Sequence, residues 1–127
     1  MKERLIGSWR LVSYETTDPA GRQGKPYGNA VGRISYDANG NMAGQVMRPD
    51  RAAMDASPGY IAYFGTYEVA ADGRSVVHHV QGSLNPAWVG GDQIRQLRFD
   101  GERLILSTET RNKQGAALTH ELTWERC

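Results

Sequence analysis

The sequence predicts an all-β protein: an eight-stranded antiparallel up-and-down β-barrel in one domain, residues 1–127, with a short helix or lid segment. Three observations lead there. Eight segments alternate apolar and polar residues or are rich in β-formers, and turn signals separate most of them. The apolar sets of successive hairpins fall on one face, as in a one-sided antiparallel sheet. No helical layer is on hand to cover that face, so closing the sheet on itself is the best solution. An open sandwich is the competing architecture. The 127 residues bury about two thirds of the unfolded surface on folding, so a core needs no covalent staples.

The elements follow in chain order. Lys2–Ile6 has the makings of one helical turn, and Gly7–Glu15 is the first strand. Residues 18–29 hold several Gly, Pro and Asp residues and read as a long loop. Val31–Tyr36 and Asn41–Met47 flank Asp37-Ala38-Asn39-Gly40, where Gly40 suits the left-handed position of a bulged hairpin. Residues 49–59 contain Asp50 as an N-cap and Ala52, Ala53 and Met54 as helix formers, a short helix or lid. Tyr60–Val69 and Ser75–Gln81 flank Ala70-Ala71-Asp72-Gly73. Gln93–Phe99 and Arg103–Thr110 flank Asp100-Gly101, and Leu118–Arg126 closes the chain after Asn112-Lys113-Gln114-Gly115.

A two-residue turn at Asp100-Gly101 sets Leu97 against Leu104 and Arg95 against Leu106. Across Ala70–Gly73, Tyr67 meets Val76, Gly65 meets His78 and Tyr63 meets Val80. Across the last loop, Thr108 meets His120, Leu106 meets Leu122 and Leu104 meets Trp124. Each hairpin puts its apolar residues on one face, while Thr66, Glu68, Arg103, Glu109, Thr119, Glu121, Thr123 and Glu125 take the other. Val12, Val77 and Ile105 are single apolar residues on that outer face.

Composition narrows the partners. Lys and Arg number 15 against 14 Asp and Glu, interspersed, which gives no electrostatic footprint for nucleic acid or an anionic membrane. No apolar run is long enough for a bilayer, and Met1–Gly7 lacks a signal-peptide pattern. Cys127 is the only cysteine, so no disulfide framework or cysteine-based metal site forms within the chain, and a reducing, cytoplasmic setting is expected. A homodimer through an outer face is compatible with the sequence.

Particular stretches resemble a known family. Gly7-Ser8-Trp9 is similar to the Gly-x-Trp signature of lipocalins, whose Trp plugs one barrel end. More specific are MRPDR (Met47–Arg51), AYFGTYEV (Ala62–Val69), HHVQGSLNPAWVGGDQIR (His78–Arg95) and LILST (Leu104–Thr108). Together they resemble the bacterial and fungal lipocalin-like domain family over essentially the whole chain. The resemblance implies a calycin-type barrel with an internal cavity, and no settled activity. Some barrels of this general kind serve as cofactor-free cyclases or isomerases.

The candidate site lies between Tyr60 and Arg95. Tyr63, Tyr67, His78 and Arg95 share the inward face, and polar groups on a core face are either a cost or a site. His78 and His79 are consecutive and so face opposite ways, which argues against their sharing a metal. His78 is either a satisfied core histidine or a ligand-binding imidazole and general base. Arg95 has three readings: a rim residue reaching water, a partner of Glu68 or Asp92, or a receptor for a ligand carboxylate or enolate. Tyr36, Tyr63 and Tyr67 are core packing or apolar walls with hydroxyl tips. Trp88, on the Gly-flanked connection Asn85–Gly91, is a gate over the mouth or a cap on the core. Trp9 and Trp124 pack one end. His120, the other inward histidine, lacks the third ligand a metal requires, so neither metal nor cofactor is expected. The glycines at Gly90-Gly91 form no phosphate loop, and Ser83 and Ser107 lack a nucleophile elbow.

The leading expectation is a barrel that binds a small, largely apolar molecule, with Tyr36, Tyr63, Tyr67, His78, Trp88, Arg95 and His120 as its ligand-binding residues. The alternative is a cofactor-free cyclase or isomerase on a polyketide- or terpenoid-like substrate, with His78 as acid/base and Arg95 stabilising an anion. A third class is an interaction barrel whose interior is filled by its own side chains.

Overall fold

The structure, a computed structural model, describes residues 2–51 and 59–127. In these residues a single turn of helix, α1 (Lys2–Leu5), leads into β1 (Gly7–Thr17), followed by β2 (Gln23–Gly24), β3 (Val31–Tyr36) and β4 (Asn41–Met47). Then come β5 (Tyr60–Val69), β6 (Ser75–Ser83), a 3₁₀ turn at Pro86–Trp88, β7 (Asp92–Asp100), β8 (Arg103–Arg111) and β9 (Ala117–Arg126). β2 and β3 both pair β1, successive strands from β3 to β9 pair antiparallel, and β1 pairs β9 from Trp9↔Arg126 to Thr17↔Thr119. That last pairing closes eight strands into a barrel and excludes the open sandwich. Of the lid expected at residues 49–59, residues 52–58 lie outside the described residues.

The strand β2 is an addition to the sequence reading. It pairs Gly24 with Thr16 and Gln23 with Thr17 in a region expected to be loop. Asp18 makes this possible, because its carboxylate accepts the amides of Ala20 and Arg22 and folds the chain back on β1. Gly40 has φ +88°, as its turn requires, and the Asp37 carboxylate accepts the amides of Asn39 and Asn41.

Two registers differ from expectation by two residues. Leu97 meets Leu106 and Phe99 meets Leu104, so Gly101 and Glu102 form the connection. Across β5 and β6, Tyr67 meets His78 and Gly65 meets Val80. The cause is general: alternation fixes which face a residue takes, but a slip of two residues preserves every face. The β8–β9 register agrees with expectation throughout, including Thr108↔His120 and Leu104↔Trp124.

Two bulges matter more for the site. In β1 the register jumps between Leu11 and Ser13, leaving Val12 as the extra residue. Strict alternation from Trp9 and Leu11 would point Tyr14 outward; the bulge turns it in, where it is buried. In β6 Gln81 is the extra residue opposite Phe64 and Gly65. A Cβ on Gly65 would stand 1.8 Å from the His79 carbonyl oxygen, so only glycine allows this close strand approach.

One end of the barrel is plugged. Trp9 is buried and donates its indole N–H to the Leu5 carbonyl at 2.9 Å. The Arg126 guanidinium lies 4.2 Å from its ring centroid and bonds the carbonyls of Ile6 and Arg4. Arg4 in turn stacks 3.9 Å from the Phe99 centroid. Ile105, outward by parity, is nevertheless only 6% exposed. Its cross-strand neighbour Arg98 forms an ion pair with Glu121 that spans from β7 to β9 across the same face of β8.

Candidate functional site

At the other end a cavity of about 750 Å³ opens between the strands. Ile34, Val46, Ile61, Leu106, Leu122 and Trp124 form apolar walls, and Tyr14, Tyr27, Tyr63, Gln93, Arg95 and His120 supply the polar tips. An apolar lining with few converging polar groups is the make-up of a small-molecule site. The interior is therefore not filled by side chains.

The inner wall holds a chain of three aromatic residues. His78, 1% exposed on β6, is bracketed by Tyr36 Oη at 2.6 Å from Nε2 and Tyr63 Oη at 2.6 Å from Nδ1. Its pKa is pushed down to about 3, chiefly by burial, then by the positive charges of Arg95 and His79. The imidazole is thus neutral at pH 7. Burial also raises both tyrosine hydroxyls, and the Arg95 charge partly opposes it.

A second imidazole cluster lies towards the mouth. His120 Nδ1 is 2.7 Å from Tyr14 Oη, and its Nε2 is 2.8 Å from Thr110 Oγ1. Its pKa is lowered by burial and then by Arg95. Burial drives the Tyr14 hydroxyl up to about 12, Tyr27 adds to this, and Arg95 opposes it. Tyr27 packs edge-on to Tyr14, with centroids 5.2 Å apart.

Arg95 faces the same interior from β7. Its guanidinium donates to the Ile94 carbonyl at 2.9 Å and to Gln93 Oε1 at 3.0 Å, both uncharged acceptors. The ion pair with Glu68 or Asp92, one of the three readings of Arg95, is not formed; His79 engages both carboxylates instead, at 3.7 and 2.7 Å. That follows from parity: Glu68, His79 and Asp92 all face outward, and Arg95 faces in. The His79 pKa is raised, first by the hydrogen bond to Asp92.

The structure places the candidate residues unequally. Tyr63, His78, Trp88, Arg95 and His120 line the cavity. Trp88 stands edge-on to Tyr63 with centroids 6.0 Å apart, on the connection beside the mouth. Tyr36 does not line it; it lies behind His78 as the second partner of the imidazole. Tyr67 is also displaced from the site, its hydroxyl tying β5 to the Asp37 carbonyl at 2.7 Å near the plugged end. Trp124, expected only to pack an end, is 2% exposed and contributes to the cavity wall. At the mouth Arg48 pairs with Asp50 at 3.2 Å, and Arg51 stacks 4.6 Å from the Tyr60 centroid. Thus Asp50 receives a guanidinium.

Tyr14, Tyr27 and Gln93 are among the cavity residues that escaped the sequence reading. Tyr14 was hidden by the β1 bulge, and Tyr27 sits in an aperiodic loop that gives no facing signal. Gln93 was legible, sharing the parity of Arg95, Leu97 and Phe99. No group of three His, Cys, Asp or Glu among the described residues is placed to hold a metal.

A closed antiparallel barrel, plugged at one end by a Trp–Arg stack and hollow at the other, is a calycin-type architecture. The chain matches the lipocalin-like domain family over residues 6–127 and belongs to it. No curated protein matches it significantly.

Proposed function

We propose that the protein binds a small, largely apolar molecule in this cavity. The observation that carries the reading is the cavity itself: about 750 Å³ of open interior with predominantly aliphatic and aromatic walls, in a fold that could have been filled. Lipocalin-like barrels in general suggest small-molecule binding, which supports the same reading. Tyr63, Arg95, Gln93 and His120 are the groups able to orient a ligand, and Trp88 is the aromatic best placed at the mouth. The cyclase or isomerase alternative would have to use different chemistry from that expected of His78. Both ring nitrogens of His78 are occupied by tyrosines, so proton exchange with a substrate would pass through Tyr63.

The neutral fluorophore N-phenyl-1-naphthylamine tests the proposal. Saturable uptake at one molecule per chain is expected. It should weaken at least roughly tenfold in Leu106→Trp, where an indole occupies the ligand volume. Absence of uptake by the folded wild type, or uptake indifferent to the tryptophan, would count against the cavity as the site.

A further inference from the structure

Hydrogen-bond accounting gives the Tyr36–His78–Tyr63 chain a direction. Tyr36 is 2% exposed, and His78 Nε2 is the only hydrogen-bond partner of its hydroxyl among the described residues. If Nε2 carried the proton, the Tyr36 O–H hydrogen would be buried with nothing to receive it, a costly arrangement. Tyr36 therefore donates to Nε2. A neutral imidazole carries one proton, so it resides on Nδ1 and is donated to Tyr63 Oη. The Tyr63 oxygen is thereby an acceptor from His78, and its own hydrogen is left to point elsewhere. Tyr63 lines the cavity, so that hydrogen is available to whatever the cavity holds.

The second element is charge. Arg95 lines the same cavity as Tyr63, His78 and His120. Yet its hydrogen-bond acceptors are a peptide carbonyl and an amide. Glu109 is the one carboxylate in the lining among the described residues, and it is engaged by Arg111 at 3.0 Å. The other polar groups of the lining include tyrosines, two histidines and Gln93. Among the described residues the lining thus presents the Arg95 charge and the oriented Tyr63 O–H, while its carboxylate, Glu109, is already paired.

Resting on the reading of the cavity as a ligand site, we infer that its ligand is a monoanionic carboxylic acid with an apolar body, its carboxylate held by the Arg95 guanidinium and the Tyr63 hydroxyl. The Arg95 guanidinium and the Tyr63 hydroxyl match the charge and two oxygens of a carboxylate; a phosphate dianion would leave charge unanswered. The aliphatic wall of Ile34, Val46, Ile61 and Leu122 receives the apolar body.

The test uses a matched pair of ligands, 2-naphthoate and its neutral isostere 2-naphthamide, each displacing N-phenyl-1-naphthylamine at pH 8. The wild type should prefer the acid at least roughly tenfold, the scale of one charge-assisted pairing. The ratio of the two constants should fall to within roughly twofold of unity in Arg95→Met and be intermediate in Arg95→Lys, which keeps the charge without the fork. It should also drop in Tyr63→Phe. Equal displacement by acid and amide in the wild type overturns the inference while leaving the cavity reading intact; no uptake of the fluorophore overturns both. Nitrogen-15 NMR supplies an arm that needs no variant. A protonated Nδ1 and an unprotonated Nε2 on His78 are expected, and the reverse tautomer would remove Tyr63 as the donor.

Discussion

Replacing Trp9 with alanine is expected to destabilise the protein by about 3–5 kcal/mol, the scale of emptying a buried tryptophan position. Three losses coincide at this residue. Its ring is 1% exposed and packs within 6.3 Å, centroid to centroid, of Phe99. Its N–H is the donor to the Leu5 carbonyl, which fastens α1 across the barrel end. Its face also supports the Arg126 guanidinium, whose bonds to Ile6 and Arg4 hold the same segment. Urea unfolding at pH 7.5 measures the effect, with Trp9→Phe as the companion. Phenylalanine keeps much of the packing and the cation–π partner but loses the donor, so about 1–3 kcal/mol should go. A loss below about 1 kcal/mol in Trp9→Ala would mean that the plugged end contributes little to closing the barrel.

The second large effect is a loss of stability on mild acidification, arising from His78. Its folded pKa is about 3 because burial, then Arg95 and His79, oppose the cation. In the unfolded chain a histidine titrates near pH 6.5. Above that pH both states are neutral and the group has no effect. As pH falls from about 6.5 towards 3, the unfolded chain binds a proton that the folded protein refuses, so stability drops by up to ~1.4 kcal/mol per unit. The lowered pKa of His120 acts in the same direction. His79 opposes them: its raised pKa contributes stability below the unfolded value, lost as pH rises through the folded one. The depressed carboxylates of Asp18, Asp37 and Glu125 lose their contribution only as pH falls below the unfolded carboxylate range, near 4. The window from about pH 6.5 to 4.5 therefore reports chiefly on histidine. Urea midpoints there should fall steeply in the wild type and much less in His78→Gln, whose amide retains a donor and an acceptor for the two tyrosines. A flat wild-type profile would contradict a buried neutral imidazole at this position.

Most of the fold was legible because a strand's alternation is dictated by which face is buried. Val31–Tyr36, Asn41–Met47 and Tyr60–Val69 have the expected boundaries, and the closed barrel has the expected eight strands. What alternation cannot carry is translation along a neighbour, hence the two-residue slips at Leu97↔Leu106 and Tyr67↔His78. It also fails at bulges, where one inserted residue reverses parity, as Val12 does for Tyr14. The site was legible as a set of inward residues but not by depth. Parity puts Tyr36, Tyr63 and Tyr67 on one side of the sheet; only the distance along the barrel separates a cavity wall from a second-row support and a tie at the plugged end. For a related reason, sequence alone does not choose among the three Arg95 readings. Its lack of an acidic partner among the described residues goes with Glu68 and Asp92 meeting His79 on the other face, a three-strand arrangement across β5, β6 and β7.

The central claim, that the hollow end is where a ligand is held, is tested most directly by locating one. Intermolecular nuclear Overhauser effects should be recorded between N-phenyl-1-naphthylamine and isotope-labelled protein. The account predicts cross-peaks from the fluorophore rings to Tyr63, Trp88, Leu106 and Leu122, all on the cavity lining. Cross-peaks confined to Phe64 and Ile94, which are exposed on the outer face at 55% and 56%, would contradict it.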